Sequence, residues 1–360
     1  MVTRIFGINY KFTSLFFMEV NEEQLPLPPQ PSVTTFKDYI PKPQPPAPMS
    51  YGVQFILLMS LIIGGLILAA IVSTIIIFTM MGGSFSALSV TEIMKPEHAN
   101  ANKVLQIVST FALFFVPAFI FALIINRKPL QYLGFNSKIS AKQVGLVILV
   151  AFTGLFLSGA LGEINELIPI SKGLRTYFQK LEDDYTEQMM AMIQMKNIVD
   201  YLVSLLLIAL APAIFEEVFF RGTVQQLMTN WSKKPWVAIL ITSVIFSAIH
   251  MSYFGFLPRA MLGIVLGLLF YYSKNIWTNI LAHFLNNGIA VTQIYILSQK
   301  GKIDKKALDA LNDTQFPVAI VILLTATTIL GMVIWLYLFK KESNKMLAQN
   351  QIINTKNSLA

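Results

Sequence analysis

Eight apolar runs, each long enough to cross a bilayer as a helix, constrain this chain more than any other feature. They lie at about residues 53–81, 104–126, 143–162, 198–230, 236–254, 257–273, 276–297 and 316–339. A helix rises about 1.5 Å per residue, so about 20 apolar residues cross roughly 30 Å of hydrocarbon. The chain is 55% hydrophobic and 13% charged, whereas soluble domains carry about 25% charge. We therefore expect an all-α, polytopic transmembrane helix bundle with about eight spans.

The net charge of +8 does not indicate nucleic-acid binding, because the basic residues form short runs beside apolar segments. Such runs are typical topology signals. The side of the membrane that holds the amino-terminal tail carries the majority of the basic residues. We expect both termini in the cytoplasm of a bacterial cell, with a eukaryotic ER membrane as the alternative location. Cysteine is absent, which excludes disulfides, thiolate metal ligands and a cysteine nucleophile.

Between the third and fourth runs lies a charged stretch, residues 170–197, in which Leu, Tyr, Phe and Met recur at loosely helical intervals. This pattern is typical of one or two amphipathic helices at a membrane surface. We interpret the stretch as an amphipathic surface segment that forms a lid or an interfacial helix. The proline-rich residues 24–48 are instead predicted to form an extended tail, most simply a tether.

Two adjacent carboxylates, Glu216 and Glu217, interrupt the fourth apolar run. Charged groups at such depth are expensive to bury and often mark functional sites. Glu217 and Arg221 are four residues apart, so they share a helical face and are predicted to form an ion pair. Glu216 is rotated about 100° from Glu217 and is free to face another group.

Two of the three histidines, His250 and His283, also fall within predicted apolar helices. The fourth and fifth runs are predicted to form a hairpin centred near Lys233, and Glu216 and His250 are each 17 residues from that centre. They are therefore expected at similar membrane depth. His283 follows Lys274 by nine residues, so it is expected about 12 Å shallower if both turns share one level.

None of these polar groups indicates a function alone. A lone buried histidine is usually a satisfied hydrogen-bonding group, and paired asparagines in a span are often interhelical contacts. The glutamate pair also fits a structural ion-pair site or the proton relay of a transporter. Because two carboxylates and two imidazoles occur together in one half of the chain, we expect a functional site.

Three ordered motifs give the chain a family resemblance. Residues 216–221 fit EExxxR, residues 246–250 fit FxxxH, and residues 283–287 fit HxxxN. Over about residues 130–295 the chain resembles the CPBP family, which includes type II CAAX prenyl endopeptidases and bacteriocin-processing or Abi proteins. The first two spans, the proline-rich tail and the last span lie outside this resemblance.

The resemblance implies an intramembrane endopeptidase that hydrolyses peptide bonds of a membrane-associated peptide or protein. Glu216 would be the general base that activates water, and His250 would assist it. His283 and Asn287 would bind water or the oxyanion. A dry cavity that contains a carboxylate and imidazoles is suited to such general-base chemistry.

By the same resemblance, Glu217 and Arg221 would form the structural partner pair of the site. Two histidines and a carboxylate are also the ligand set of a hydrolytic zinc site, here Glu216, His250 and His283. The HExxH spacing is absent, and we favour a metal-free glutamate mechanism that needs no cofactor. Zinc stays open as the alternative.

The apolar runs, the proline-rich composition and the resemblance together divide the chain into four predicted parts. Residues 1–50 form the proline-rich tail, 51–130 two transmembrane helices, 131–300 the catalytic transmembrane core, and 301–360 a loop, the last span and a polar tail. The expected partners are a peptide or membrane-protein substrate and the lipid bilayer. The alternative function is a non-catalytic scaffold or immunity protein that binds a peptide in the same cavity. A proton-coupled transporter is a third reading, disfavoured by the lack of inverted repeats.

Overall fold

A computed structural model describes residues 49–80, 98–136, 138–192, 195, 197–299 and 318–359, and the structural statements below concern these residues. They belong to one unit, Pro48–Ala360. The tail predicted for residues 24–48 lies outside the described residues.

The described residues form ten helices and no strand. In chain order these are α1 (Tyr51–Met80), α2 (99–125), α3 (Pro129–Tyr132), α4 (Ala141–Glu166), α5 (Lys172–Met192), α6 (Ile198–Ser232), α7 (Pro235–Ala248), α8 (Phe256–Ser273), α9 (Ile276–Gln299) and α10 (Val318–Leu359). The prediction of an all-α bundle is confirmed.

Seven of these helices are long and apolar enough to cross a membrane: α1, α2, α4, α6, α8, α9 and α10. The remaining predicted span, the fifth run at about 236–254, corresponds to α7, an apolar helix of 14 residues. At about 1.5 Å per residue, α7 is shorter than a hydrocarbon core of roughly 30 Å. The described chain is thus a polytopic bundle of about eight membrane segments, one of which is short.

Short π-helical segments interrupt two of the long helices. One lies in α2 at Phe111–Phe115, and two lie in α6 at Leu205–Leu210 and Phe220–Gln225. Pro117 and Pro212 are each the second residue after such a segment. A proline lacks an N–H group and its ring collides with the carbonyl four residues earlier, so a wider turn at that place relieves the collision.

The helix α7 ends earlier than its apolar sequence predicts. The apolar run extends to residue 254, but α7 ends at Ala248, and His250 lies in the turn that follows. The next residue, Met251, has a left-handed backbone (φ 52°), which a helix cannot continue through. The prediction that His250 lies within a helix is therefore wrong.

The predicted amphipathic segment forms a single helix, α5, between the third and fourth spans. It packs against the turn that carries His250. The Phe178 ring stacks on Tyr253 with centroids 4.7 Å apart. The Ser252 hydroxyl donates a hydrogen bond of 2.6 Å to Glu182 Oε2. The surface segment thus contacts the edge of the predicted site.

Glycines bring α8 close to its neighbours. A Cβ at Gly263 would lie 2.8 Å from the Ser243 Cβ of α7, and one at Gly267 would lie 2.8 Å from Ile239. No side chain fits at such distances, so glycine is required for this approach. The backbone of α8 therefore lies near enough to α6 and α7 for its carbonyl oxygens to act as hydrogen-bond acceptors inside the bundle.

Candidate active site

The carboxylate of Glu217 is the centre of a buried polar cluster. Its Oε1 lies 3.0 Å from Arg221 Nη1 and 2.9 Å from His283 Nδ1. Its Oε2 accepts a hydrogen bond of 3.3 Å from Asn279 Nδ2. Glu217, Arg221 and Asn279 are each 0% exposed. The predicted ion pair between Glu217 and Arg221 is formed, and α9 adds two further donors to it.

The guanidinium of Arg221 is held on several sides. Besides Glu217, it donates through Nη2 to the Gly263 carbonyl of α8 at 3.1 Å. Its Cζ lies 4.8 Å from the centroid of the Phe246 ring and 5.8 Å from that of Phe220. A desolvated cation over an aromatic face is attracted by the ring quadrupole. Arg221 thus connects α6 to both α7 and α8.

Glu216 has a different environment from its neighbour. Its Oε2 is buried and has no hydrogen-bond partner among the described residues. The basic atom of His283 that faces it, Nε2, lies at 3.9 Å, which is too far for a direct hydrogen bond. His283 therefore lies between the two carboxylates, with one ring nitrogen bonded to Glu217 and the other directed at Glu216.

His250 lies beside this cluster, in the turn after α7. Its Nδ1 is 2.7 Å from the carbonyl oxygen of Phe246, one turn earlier. The Phe246 ring contacts both imidazoles, at centroid distances of 5.1 Å to His250 and 5.9 Å to His283. Within the described residues, no hydrogen bond or ion pair joins His250 to Glu216.

The condition under which His283 was expected to lie shallower than Glu216 is not met, because the two hairpin turns are not level. Lys274, at one turn, and Gln226, of α6, line the same small cavity, and Gln226 lies well before the end of α6 near Lys233. Lys274 precedes His283 by nine residues, and Gln226 follows Glu217 by nine. The two side chains therefore meet at the same level, since both helices rise equally per residue.

Asn287 lies one helical turn after His283 and is half-buried. Its Oδ1 accepts a hydrogen bond of 3.2 Å from Asn286 Nδ2. Among the described residues, Asn287 makes no hydrogen bond to either glutamate or to either imidazole of the cluster. Its position on the face of His283 agrees with the helical spacing, and its role stays a prediction.

Residues 198–289 match the family model described as type II CAAX prenyl endopeptidase Rce1-like. This match confirms the family resemblance. It covers about a quarter of the chain and includes every residue predicted for the site. The matched family is a protease family, and the chain is an integral, multi-pass membrane protein. No curated protein and no solved structure matches the chain.

Asn279 and Phe246 belong to the cluster, although the sequence predicted a role for neither. Asn279 is a polar residue one helical turn before His283 in an apolar helix, and that spacing was the available signal. Phe246 is part of the FxxxH motif of the Rce1-like segment. Its contact with Arg221 depends on the packing of α7 against α6, which the sequence does not display.

The residues considered for zinc do not fit a zinc ion in this arrangement. The described residues contain no group of three His, Cys, Asp or Glu side chains placed to hold a metal. Zinc sites require ligand atoms within about 2.0–2.3 Å of a common point.

Proposed function

We propose that the Rce1-like domain is an intramembrane endopeptidase in which Glu216 is the general base that activates water. The observation that carries the proposal is the buried, unpartnered Oε2 of Glu216, 3.9 Å from His283 Nε2. A water molecule at about 2.8 Å from both atoms fits that separation. The family match supports hydrolysis of a peptide bond as the reaction.

In the proposed reaction, Glu216 takes a proton from this water while the oxygen attacks the carbonyl carbon of the substrate. The resulting tetrahedral intermediate carries a negative oxygen. Asn287, one helical turn after His283, is the proposed donor to that oxygen through its amide Nδ2. His250 is not such a donor, since the N–H of its neutral ring points to the Phe246 carbonyl, and its proposed role is to assist Glu216. Glu216 then returns the proton to the nitrogen as the C–N bond breaks, which leaves a carboxylic acid and an amine.

In this proposal, Glu217 and Arg221 do not react. Both are 0% exposed, and the carboxylate oxygens of Glu217 are occupied by donors from Arg221, His283 and Asn279. Their role is to hold His283 beside Glu216. Because the cluster lies between membrane helices, the proposed substrate is a peptide or protein that reaches the site from within or beside the bilayer.

The test is the Glu216→Gln variant, purified and reconstituted in liposomes beside the wild-type protein. The probe is a library of internally quenched peptides, offered both free and attached to a lipid anchor. We expect kcat to fall by about 10²–10⁴-fold, the usual contribution of a general base. Glu163→Gln, in α4, is the matched control and should keep wild-type activity.

Full activity of Glu216→Gln would refute the proposed role of Glu216. Peptide binding without cleavage by wild-type protein, unchanged in the variant, would instead establish the scaffold reading. Folding of both variants is checked by thermal unfolding in detergent. Removing the Glu216 charge leaves no buried partner unpaired, so the variant should unfold near the wild-type temperature.

A further inference from the structure

We infer that Asn279 is a positioning residue, which fixes the Glu217 carboxylate so that His283 carries its proton on Nδ1 and presents a bare Nε2 to Glu216. The inference deepens the proposed function and rests on it for its catalytic meaning. Its structural content is separate, since it concerns which ring nitrogen of one histidine is protonated.

The amide of Asn279 has a single orientation available. Its Nδ2 donates to the carbonyl oxygen of Leu266 in α8 at 2.6 Å and to Glu217 Oε2 at 3.3 Å. Its Oδ1 accepts from the Thr278 hydroxyl at 3.2 Å. A flipped amide would place an oxygen against a carboxylate and a carbonyl, which repel it. Asn279 is 0% exposed, so no water replaces these bonds.

The orientation of Asn279 fixes Glu217 in turn. With Oε2 held by Asn279, Oε1 is the oxygen that meets both Arg221 Nη1 and His283 Nδ1. A carboxylate paired with a guanidinium can only accept hydrogen bonds, so His283 must donate through Nδ1. A neutral imidazole has one N–H group. The lone pair of His283 therefore lies on Nε2, the atom 3.9 Å from Glu216.

This assignment changes the role of His283 in the proposed reaction. A neutral ring with a bare Nε2 cannot donate a hydrogen bond to a negative oxygen. It can accept one from the reacting water. Glu216 and His283 then each hold one hydrogen of that water, and the oxygen lone pair is left free to attack the substrate carbonyl. Donation to the oxyanion falls to Asn287, because the N–H of a neutral His250 ring is already bonded to the Phe246 carbonyl.

Asn275, one turn before Asn279, is a buried asparagine with a structural role only, and it provides a control. Asn275 is also buried, at 3% exposed, and its Nδ2 donates to the Lys138 carbonyl at 3.0 Å. Its Oδ1 accepts from the Trp277 backbone at 3.1 Å. Asn275 stabilises a turn and does not touch either glutamate. Asn275→Ala therefore removes a comparable buried amide without altering Glu217.

The first experiment is ¹⁵N NMR of the wild-type protein labelled at histidine, in detergent micelles. The chain has only three histidines, so His98→Gln, His250→Gln and His283→Gln assign every signal. We expect the His283 ring to show a protonated Nδ1 and an unprotonated Nε2. A proton on Nε2, whether in the other tautomer or in a doubly protonated ring, overturns the inference.

The second experiment compares Asn279→Ala with Asn275→Ala by NMR and by peptide cleavage. Loss of a group that orients a metal-bound histidine costs about 10–100-fold in activity, and we expect an effect of the same size here. We expect Asn279→Ala to lose kcat by that factor with KM nearly unchanged, and to mix the two His283 tautomers. Asn275→Ala should keep one tautomer and wild-type kcat. Equal behaviour of the two variants contradicts a positioning role.

The wild-type spectrum decides the tautomer even if Asn279→Ala does not fold. It needs no cleavage assay, so it also separates this inference from the proposed function. If Glu216→Gln kept full activity while His283 carried its proton on Nδ1, the general-base proposal would fail and the tautomer assignment would stand.

Discussion

The adjacent glutamates of α6, Glu216 and Glu217, lie on different faces of the helix and have different surroundings. On one side, Glu217 is fully buried and its carboxylate meets donors from Arg221, His283 and Asn279. On the other side, the Glu216 side chain is 12% exposed and its Oε2 has no hydrogen-bond partner among the described residues. The carboxylate of Glu217 thus has hydrogen-bond partners on both oxygens, whereas that of Glu216, one residue earlier, has an oxygen without one.

The cause of this difference is helical phase. Consecutive residues of a helix point about 100° apart, so Glu217 meets Asn279 and His283 Nδ1, while Glu216 lies near His283 Nε2 and stays partly exposed. A carboxylate whose oxygens already accept several hydrogen bonds holds its neighbours in place and has little capacity to take a proton. A carboxylate with an unpartnered oxygen retains that capacity, which is why Glu216 is the proposed general base.

The largest expected effect is on stability, in the Glu217→Gln variant. This change removes the charge that neutralises a fully buried Arg221, and breaking a buried ion pair on one side costs about 3–5 kcal/mol. Glu216→Gln should change the free energy of unfolding by less than about 1 kcal/mol, since no cation loses its partner. Unfolding titrations in mixed micelles measure both values, and equal losses would remove the distinction between the two glutamates.

A smaller effect is expected for Phe246→Leu, on the Glu217 side. The ring lies 4.8 Å from the Arg221 guanidinium and contacts both imidazoles. Loss of the cation–π contact should lower the free energy of unfolding by about 1–2 kcal/mol. Phe156→Leu, at a ring that is 70% exposed, is the control and should be neutral. An unchanged Phe246→Leu would show that Arg221 is held by its hydrogen bonds alone.

The smallest effect is expected for metal removal. Within the described residues, Glu216, His250 and His283 are not arranged to hold a zinc ion. Peptide cleavage should therefore need no bound ion. Dialysis of the purified protein against a chelator should change peptide cleavage by less than about twofold. Loss of activity that zinc alone restores would contradict this picture and would make Glu216 a ligand.

The sequence was sufficient for the parts of the site that depend on one helix. Apolar runs gave the spans, and the four-residue spacing gave the ion pair of Glu217 with Arg221. The membrane depth of His283 could not be predicted from one helix, because it depends on where along α6 the turn at Lys274 lies. Asn279 was missed for a related reason. A single asparagine in a span resembles ordinary interhelical contact until its partner on another helix is known.

The pairing of Glu217 with Arg221 inside one helix has a consequence for how the protein is made. Because the two residues are one turn apart in α6, the fourth span enters the bilayer with that carboxylate and that guanidinium already neutralised by each other. Asn279 and His283 follow three helices later, since domains are synthesised from the amino terminus. The Arg221 guanidinium is therefore paired within its own helix before α9 is inserted.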